Sequence, residues 1–346
     1  MTLKEERDGS RVRWNRLGRI SNLLGKEEFQ KEKDKRKISR AMILQLLLAT
    51  AFTASPPIPL DLSTWANKRV LFITAHPDDV EGFAGGLARS LFLRGDINTT
   101  YLIATSGNAG GSCYTTPSNG SAPQYDPTCE KEELALVRRR ESIAAAAYNG
   151  VPPPYRMGLD DGLSIEYDEA RLRRGITGWI RVVRPHIIVT HFPQPNWGAP
   201  PTCNGACGVV KGWDDLGYHP DHKHVGKVVF DTVYTAGGAA SNSRLFEDIA
   251  ALKGGAAWKG VEKLFFFALT ANQPMTHYLP LSEDLLQAKV AASMLHQSQY
   301  LGNETATMAT YRWIGRAVGA EAMAHRMGEG GSEGSEAMAE GFQGWY

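Results

Sequence analysis

The 346-residue sequence has almost no net charge, with 38 Lys and Arg against 37 Asp and Glu. A balance of +1 leaves no overall electrostatic footprint for nucleic acid or another polyanion. Cysteine is scarce at four, and no C-x-x-C pair occurs, so a four-cysteine zinc site is disfavoured. Long apolar runs are missing too. The stretch 41-AMILQLLLATAFTA-54 stops short of the roughly 20 residues a membrane-spanning helix needs. No internal repeat is evident. No Ser-centred nucleophile elbow and no G-x-G-x-x-G follows a strand-like segment, which sets aside those serine-hydrolase and dinucleotide signatures. What remains, 42% hydrophobic and 22% charged residues, suits a soluble globular protein of one large domain or two small ones.

The N-terminal region is a basic extension over residues 1–40, with six Lys/Arg against two acids in 31-KEKDKRKISR-40. The apolar residues 41–54 follow, and Ala49-Thr50-Ala51 offers a small-x-small cleavage site, as in a secretory signal. Forty leading residues are long for such a signal, so Met42 is an alternative start. An uncleaved anchor or a buried helix are the other readings of 41–54. Sequons at Asn98, Asn119 and Asn303 agree with a secretory address, in the endoplasmic reticulum or outside the cell. Cys113, Cys129, Cys203 and Cys207 all follow the signal in loop-like segments, which suits two disulfides in an oxidising compartment. Proximity selects Cys113–Cys129 and Cys203–Cys207 from three connectivities.

From about residue 66 apolar runs alternate with helical periodicity. Strands are expected over 69–75, 97–105, 186–191 and 261–269, and helices over 82–94, 130–148, 168–183, 221–237 and 282–299. This alternation predicts an α/β, Rossmann-like fold: a mostly parallel sheet with helices on both faces. Ligands in such folds bind beyond the carboxyl ends of the strands. Two long Gly/Pro-rich loops cover 107–129 and 192–218, and the low-complexity end, 326–346, reads as disordered.

The chemistry gathers at two loop-to-helix junctions. In 75-AHPDDVE-81, His76 and Asp79 stand three apart at a strand tip and offer the nitrogen and oxygen that zinc takes. Asp79 could equally cap the following helix. Asp78 beside it is harder to place without a cation, because adjacent carboxylates repel; one can ligate while the other stays free as a base. In 219-HPDH-222, His222 is the candidate third ligand and His219 is left for proton or oxyanion work. Asp221 between them is placed to orient an imidazole, or merely to cap a helix. Asp161 in a Gly-containing turn is a candidate for sugar hydroxyls, and His191 at a strand end for lining the pocket. Arg138–Arg140 lie on a helix where solvation is the default, with Arg140 taken as a low-ranking substrate contact. Trp197 and Trp213 could stack on a sugar. His224 and His296 read as structural.

These segments resemble the N-acetylglucosaminylphosphatidylinositol de-N-acetylase, or LmbE-like, family. The likeness runs from about residue 70 to 300 through 75-AHPDDVE-81, 105-TSGNAGG-111, 138-RRRESIAAAAYNGV-151, 157-MGLDDG-162, 184-RPHIIVTH-191, 219-HPDH-222 and 289-KVAASMLHQSQ-299. The resemblance implies a deacetylase domain over about 66–305 and a zinc-dependent hydrolase of an N-acetylglucosamine conjugate, with a glycolipid as the family's substrate. It implies His76, Asp79 and His222 as metal ligands, Asp78 as general base, His219 as the assisting histidine and Asp221 as its orienting acid. In the mechanism so implied, a protonated His219 helps stabilise the oxyanion. Position 80 departs from the pattern. Lipid-specific members carry glutamate there, whereas Val80 precedes Glu81 here, as in bacterial members acting on small glycoconjugates. Two other readings compete: a magnesium phosphoryl-transfer site, disfavoured by histidine ligands, and a secreted carbohydrate-binding protein without catalysis.

Overall fold

The structure, a computed structural model, describes residues 57–115, 124–162, 168–193, 219–237, 256–268, 275–324 and 338–345. In chain order these form β1 (Ile58–Pro59), β2 (Arg69–Thr74), α1 (Asp79–Arg94), β3 (Asn98–Thr105), β4 (Tyr114–Thr115), β5 (Gln124–Tyr125), α2 (Lys131–Tyr148), β6 (Tyr155–Leu159), α3 (Glu169–Val183) and β7 (Ile187–Thr190). Then come α4 (Pro220–Gly237), β8 (Lys263–Ala268), β9 (His277–Leu281), α5 (Glu283–Ser293), the short α6 (Gln297–Tyr300), α7 (Glu304–Ala324) and β10 (Met338–Trp345).

The eight-stranded sheet runs β1-β9-β10-β8-β7-β2-β3-β6. Its body, β6-β3-β2-β7-β8, is parallel throughout. That order is the doubly wound one, in which the chain leaves β2 toward β3 and β6 and later returns to its other side as β7 and β8. The switch point therefore lies between β2 and β7. His76 and His191, just past those two strands, emerge side by side there.

Period-two alternation fills two cores. Val70, Phe72, Ile187, Val189, Phe265 and Phe267 face α1 through Val80, Ala84, Leu87 and Leu91. Leu71, Ile73, Ile188, Leu264 and Phe266 face α3 and α4 through Leu172, Ile176, Ile180, Val225 and Val229. Each fully buried side chain of this size contributes about 1.5–3 kcal/mol, so both helical layers are firmly held. The expected α/β class and mostly parallel sheet are thus observed.

One compact unit spans Pro56–Tyr346. Residues 338–345, expected to be disordered, form β10, antiparallel between β8 and β9. The strand is held by neighbours on both sides, a tertiary effect that low complexity hides. Among the described residues no helix is long and apolar enough to cross a membrane; residues 41–54 lie outside them.

The Cys113–Cys129 disulfide forms as expected and closes a 16-residue separation across the β4–β5 hairpin. Cys203, Cys207, Trp197 and Trp213 lie outside the described residues. Opening a loop of this length costs about 2–4 kcal/mol. Replacing both Cys113 and Cys129 by serine should therefore lower the unfolding free energy by that amount in a denaturant titration.

Candidate metal centre

The first turn of α1 and the last residues of β2 build the site between them. The backbone N–H of His76 donates to Asp79 Oδ2 at 2.6 Å, so the carboxylate folds back over the turn. The N-cap position of α1 is Asp78, which makes no side-chain cap bond, so Asp79 does not cap the helix; it ties down the turn that enters it. Asp79 Oδ1 lies 3.1 Å from His222 Nε2, and His222 Nε2 lies 2.9 Å from His76 Nδ1. The third edge, His76 Nδ1 to Asp79 Oδ2, is 3.6 Å.

The two imidazoles face different oxygens of one carboxylate, and these are donor types that zinc takes. With one ligand atom from each residue, the groups that come together include His76, His219 and His222, and Asp79, His191 and His222. Two ring nitrogens 2.9 Å apart also oppose their lone pairs unless a proton or cation lies between them. The residues fit the ion. Burial would raise the Asp79 carboxyl, yet His222, His191 and His76 hold it well below the ordinary range.

His76 is oriented by two acids. Its Nε2 lies 3.0 Å from Asp161 Oδ1 and 3.3 Å from Asp221 Oδ2. A proton on Nε2 satisfies those oxygens and leaves Nδ1 as a lone pair aimed at the cluster, the usual carboxylate–histidine–metal arrangement. Burial opposes a charge on His76, but Asp79, Asp161 and Asp221 together raise its pKa well above the ordinary value, so with no cation the ring holds a second proton at Nδ1, which a bound metal ion would displace. Asp161 also accepts from Ala109 N, and His76 is the strongest of the influences that hold its carboxyl down against burial. Asp161 therefore braces His76.

Asp221 is fully buried and accepts from Gly162 N at 2.9 Å. It lies 3.9 Å from His219 Nδ1, farther than from His76, so its closer imidazole is that of His76. The His219 side chain is 45% exposed, and its Nδ1 accepts from Asp221 N at 3.3 Å. The ring proton then belongs on Nε2. Burial and the neighbouring His76 and His222 lower the His219 pKa.

His191 lies against Asp79, and with Asp79 and His222 forms a group that could hold a metal ion. It is fully buried, with Nε2 3.0 Å from Asp79 Oδ2 and accepting from Ala75 N at 3.1 Å. Its ring stacks on His222 at 4.1 Å. Burial pushes its pKa down to about 3, so it stays neutral. Phe83, one turn past Asp79, closes the same side against His191, His222 and Phe267.

Asp78 stands beside the triangle and is not part of it. Its Oδ1 accepts from Arg138 Nη2 on α2. Arg138 is 2% exposed and its Nη1 also donates to Gly107 O at 2.8 Å and Gly110 O at 3.0 Å. Gly107 has φ +67°, and a Cβ there would come within 2.7 Å of the guanidinium. Arg140, by contrast, is exposed on the outer side of α2. The guanidinium that reaches the site is Arg138's, and a signal existed: Leu134, Arg138, Glu141 and Ala145 form the buried stripe of that helix. Glu81 turns away to His296 and Asn149, each at 3.3 Å, so it offers the cluster nothing.

Residues 71–201 match the family model described as PIG-L, GlcNAc-PI de-N-acetylase. No curated protein matches the chain by sequence. The fold is similar to that of the N,N'-diacetylchitobiose deacetylase from Pyrococcus horikoshii. The TM-score is 0.59 at 20% identity, covering 83% of this chain and 87% of that one. It is also similar to GalB, the 4-carboxy-2-hydroxymuconate hydratase from Pseudomonas putida, with TM-score 0.53, 16% identity and coverage of 81% and 96%. A conserved protein from Thermus thermophilus gives TM-score 0.51, 20% identity and coverage of 80% and 93%. A fold shared by a deacetylase and a hydratase does not itself choose the reaction. The matched segment contains His76, Asp78, Asp79, Arg138, Asp161 and His191, and over it the chain is similar to the GlcNAc-PI de-N-acetylase (PIG-L) family.

Proposed function

We propose that the protein is a zinc-dependent N-deacetylase that hydrolyses the acetamide of an N-acetylglucosamine conjugate. The observation that carries this reading is the triangle of His76, Asp79 and His222 with a carboxylate, Asp78, held beside it but outside it. His76, Asp79 and His222 would hold the zinc ion, which when bound would supply the Lewis acidity that makes water nucleophilic near neutral pH. Asp78, steadied by Arg138, takes the proton of the attacking water. His219 offers Nε2–H to the carbonyl oxygen as negative charge develops there. The proton on Asp78 then passes to the departing amine. Asp161 and Asp221 keep His76 in the tautomer that presents Nδ1 to the metal.

The substrate we assign is N-acetylglucosaminylphosphatidylinositol, met in the secretory pathway. The description of the family model, the apolar segment 41–54 as a membrane tether and the Cys113–Cys129 disulfide support that assignment. A soluble glycoconjugate is the second reading, favoured by Val80. This residue is 2% exposed in the α1 core, where the lipid-specific pattern has glutamate.

Acetate release decides the matter. The full chain should release acetate from the glycolipid, lose at least nine-tenths of that rate on chelation and recover it with zinc. N,N'-diacetylchitobiose and simple N-acetylglucosaminides serve beside it. Preference for one of these selects the soluble reading, and metal-independent release or none from any substrate would sink the proposal.

A further inference from the structure

Helix α1, whose first turn carries Asp79, is broken five residues later. Ala84 has φ −137° and ψ 30°, outside the helical region. Such a break leaves amide N–H groups of the following turn without carbonyls one turn back. Two of them are taken by one side chain from the far end of the chain. Gly86 N donates to Glu340 Oε1 and Leu87 N to Glu340 Oε2, both at 2.9 Å. Lys289 of α5 donates to the same Oε1 at 2.7 Å and lies 4.9 Å above the Tyr311 ring. Glu340 and Lys289 are only 4% and 5% exposed, so both charges are sealed from water and rely on these partners.

The local sequence is shaped for the contact. A Cβ on Gly86 would lie 2.3 Å from Leu281 Cδ2 and 3.2 Å from the Glu340 carboxylate, and one on Gly85 would lie 2.8 Å from Lys289 Cγ. Only bare backbone lets β10 and α5 approach this closely.

We propose that β10 clamps the metal-binding turn, with Glu340 as a positioning residue for Asp79. Its carboxylate caps the second half of α1 as an N-cap acid would, where the helix dipole favours negative charge. By fixing that half against the sheet, it sets the angle at which residues 79–83 leave the break. Those residues carry Asp79 to His222 and Phe83 to His191. Seven residues of helix, about 10 Å, separate Gly86 from Asp79, so Glu340 acts only through the helix. The inference rests on the metal-site reading above.

The test is zinc affinity of the full-length chain, measured by chelator competition well below the melting temperature, with circular dichroism on the same samples. Glu340→Ala should bind zinc at least tenfold more weakly than wild type while folded, with kcat reduced and KM within twofold. Should Glu340→Ala not fold, the double variant Glu340→Gln with Lys289→Met removes both buried charges together. It keeps one acceptor for the two N–H groups and should lose at least threefold in zinc affinity. Wild-type affinity in a folded variant, with only a lower melting temperature, would make the contact a mere brace and overturn the clamp. A wild-type chain that binds no divalent zinc would instead remove the metal site itself, and the clamp with it.

Discussion

Asp78→Asn should lower the rate of acetamide hydrolysis by about 10²- to 10⁴-fold, the range that a positioned general base contributes, and leave zinc content unchanged. The separation of the two effects follows from placement. Asp78 is absent from the His76–Asp79–His222 triangle, and among the described residues its side chain bonds to Arg138. Asparagine keeps an oxygen for that guanidinium, so the contact survives as a hydrogen bond without the opposing charge. The stability cost should be about 1 kcal/mol, the difference between charged and neutral hydrogen bonds. Acetate release, zinc content and melting temperature measured on one preparation separate the three quantities. If more than a tenth of the rate survives, Asp78 is only the counter-charge of Arg138. The base must then be sought elsewhere among the acids of the site.

Much of this site could be read from residue order because it is local. A buried strand ending in 75-AHPDDVE-81 places His76, Asp78 and Asp79 within one turn, whatever the rest of the chain does. The 219-HPDH-222 junction is equally local. What the sequence concealed is which partner each group meets across the fold. Asp221 lies two residues from His219 yet sits closer to His76, 145 residues away. Asp161 was legible as a turn residue, but its bond to His76 requires β6 to stand beside β3 at the sheet edge. Strand β10 was the largest omission. Its sequence, MAEGFQGW, follows a Gly/Ser/Glu-rich run and has weak strand propensity. It is a strand because β8 and β9 pair with it on either side, and because Glu340 finds two stranded amides in α1. No window of nearby residues contains that information.

The contrast between Arg138 and Arg140 gives the second large effect. Arg138→Met should destabilise the protein by about 3–5 kcal/mol, as expected when one member of a buried ion pair is removed. Asp78 loses its cation, while the carbonyls of Gly107 and Gly110 each lose a donor. Gly110 O retains the Gln299 side chain at 2.8 Å, so the loop is weakened at Gly107 more than at Gly110. Activity should fall beyond what stability explains, because the loop and Asp78 share this one guanidinium. Arg138→Lys should recover little. An ammonium is a single point of charge, and Arg138 uses two separate nitrogens to serve three oxygens in different directions. Arg140→Met, two residues along the same helix, should change stability by no more than about 0.5 kcal/mol, because its side chain is exposed. Denaturant titration of the three variants beside wild type measures all of this. Equal losses from Arg138→Met and Arg140→Met would mean that the helix is turned from the orientation described, and Asp78 would be left without its partner.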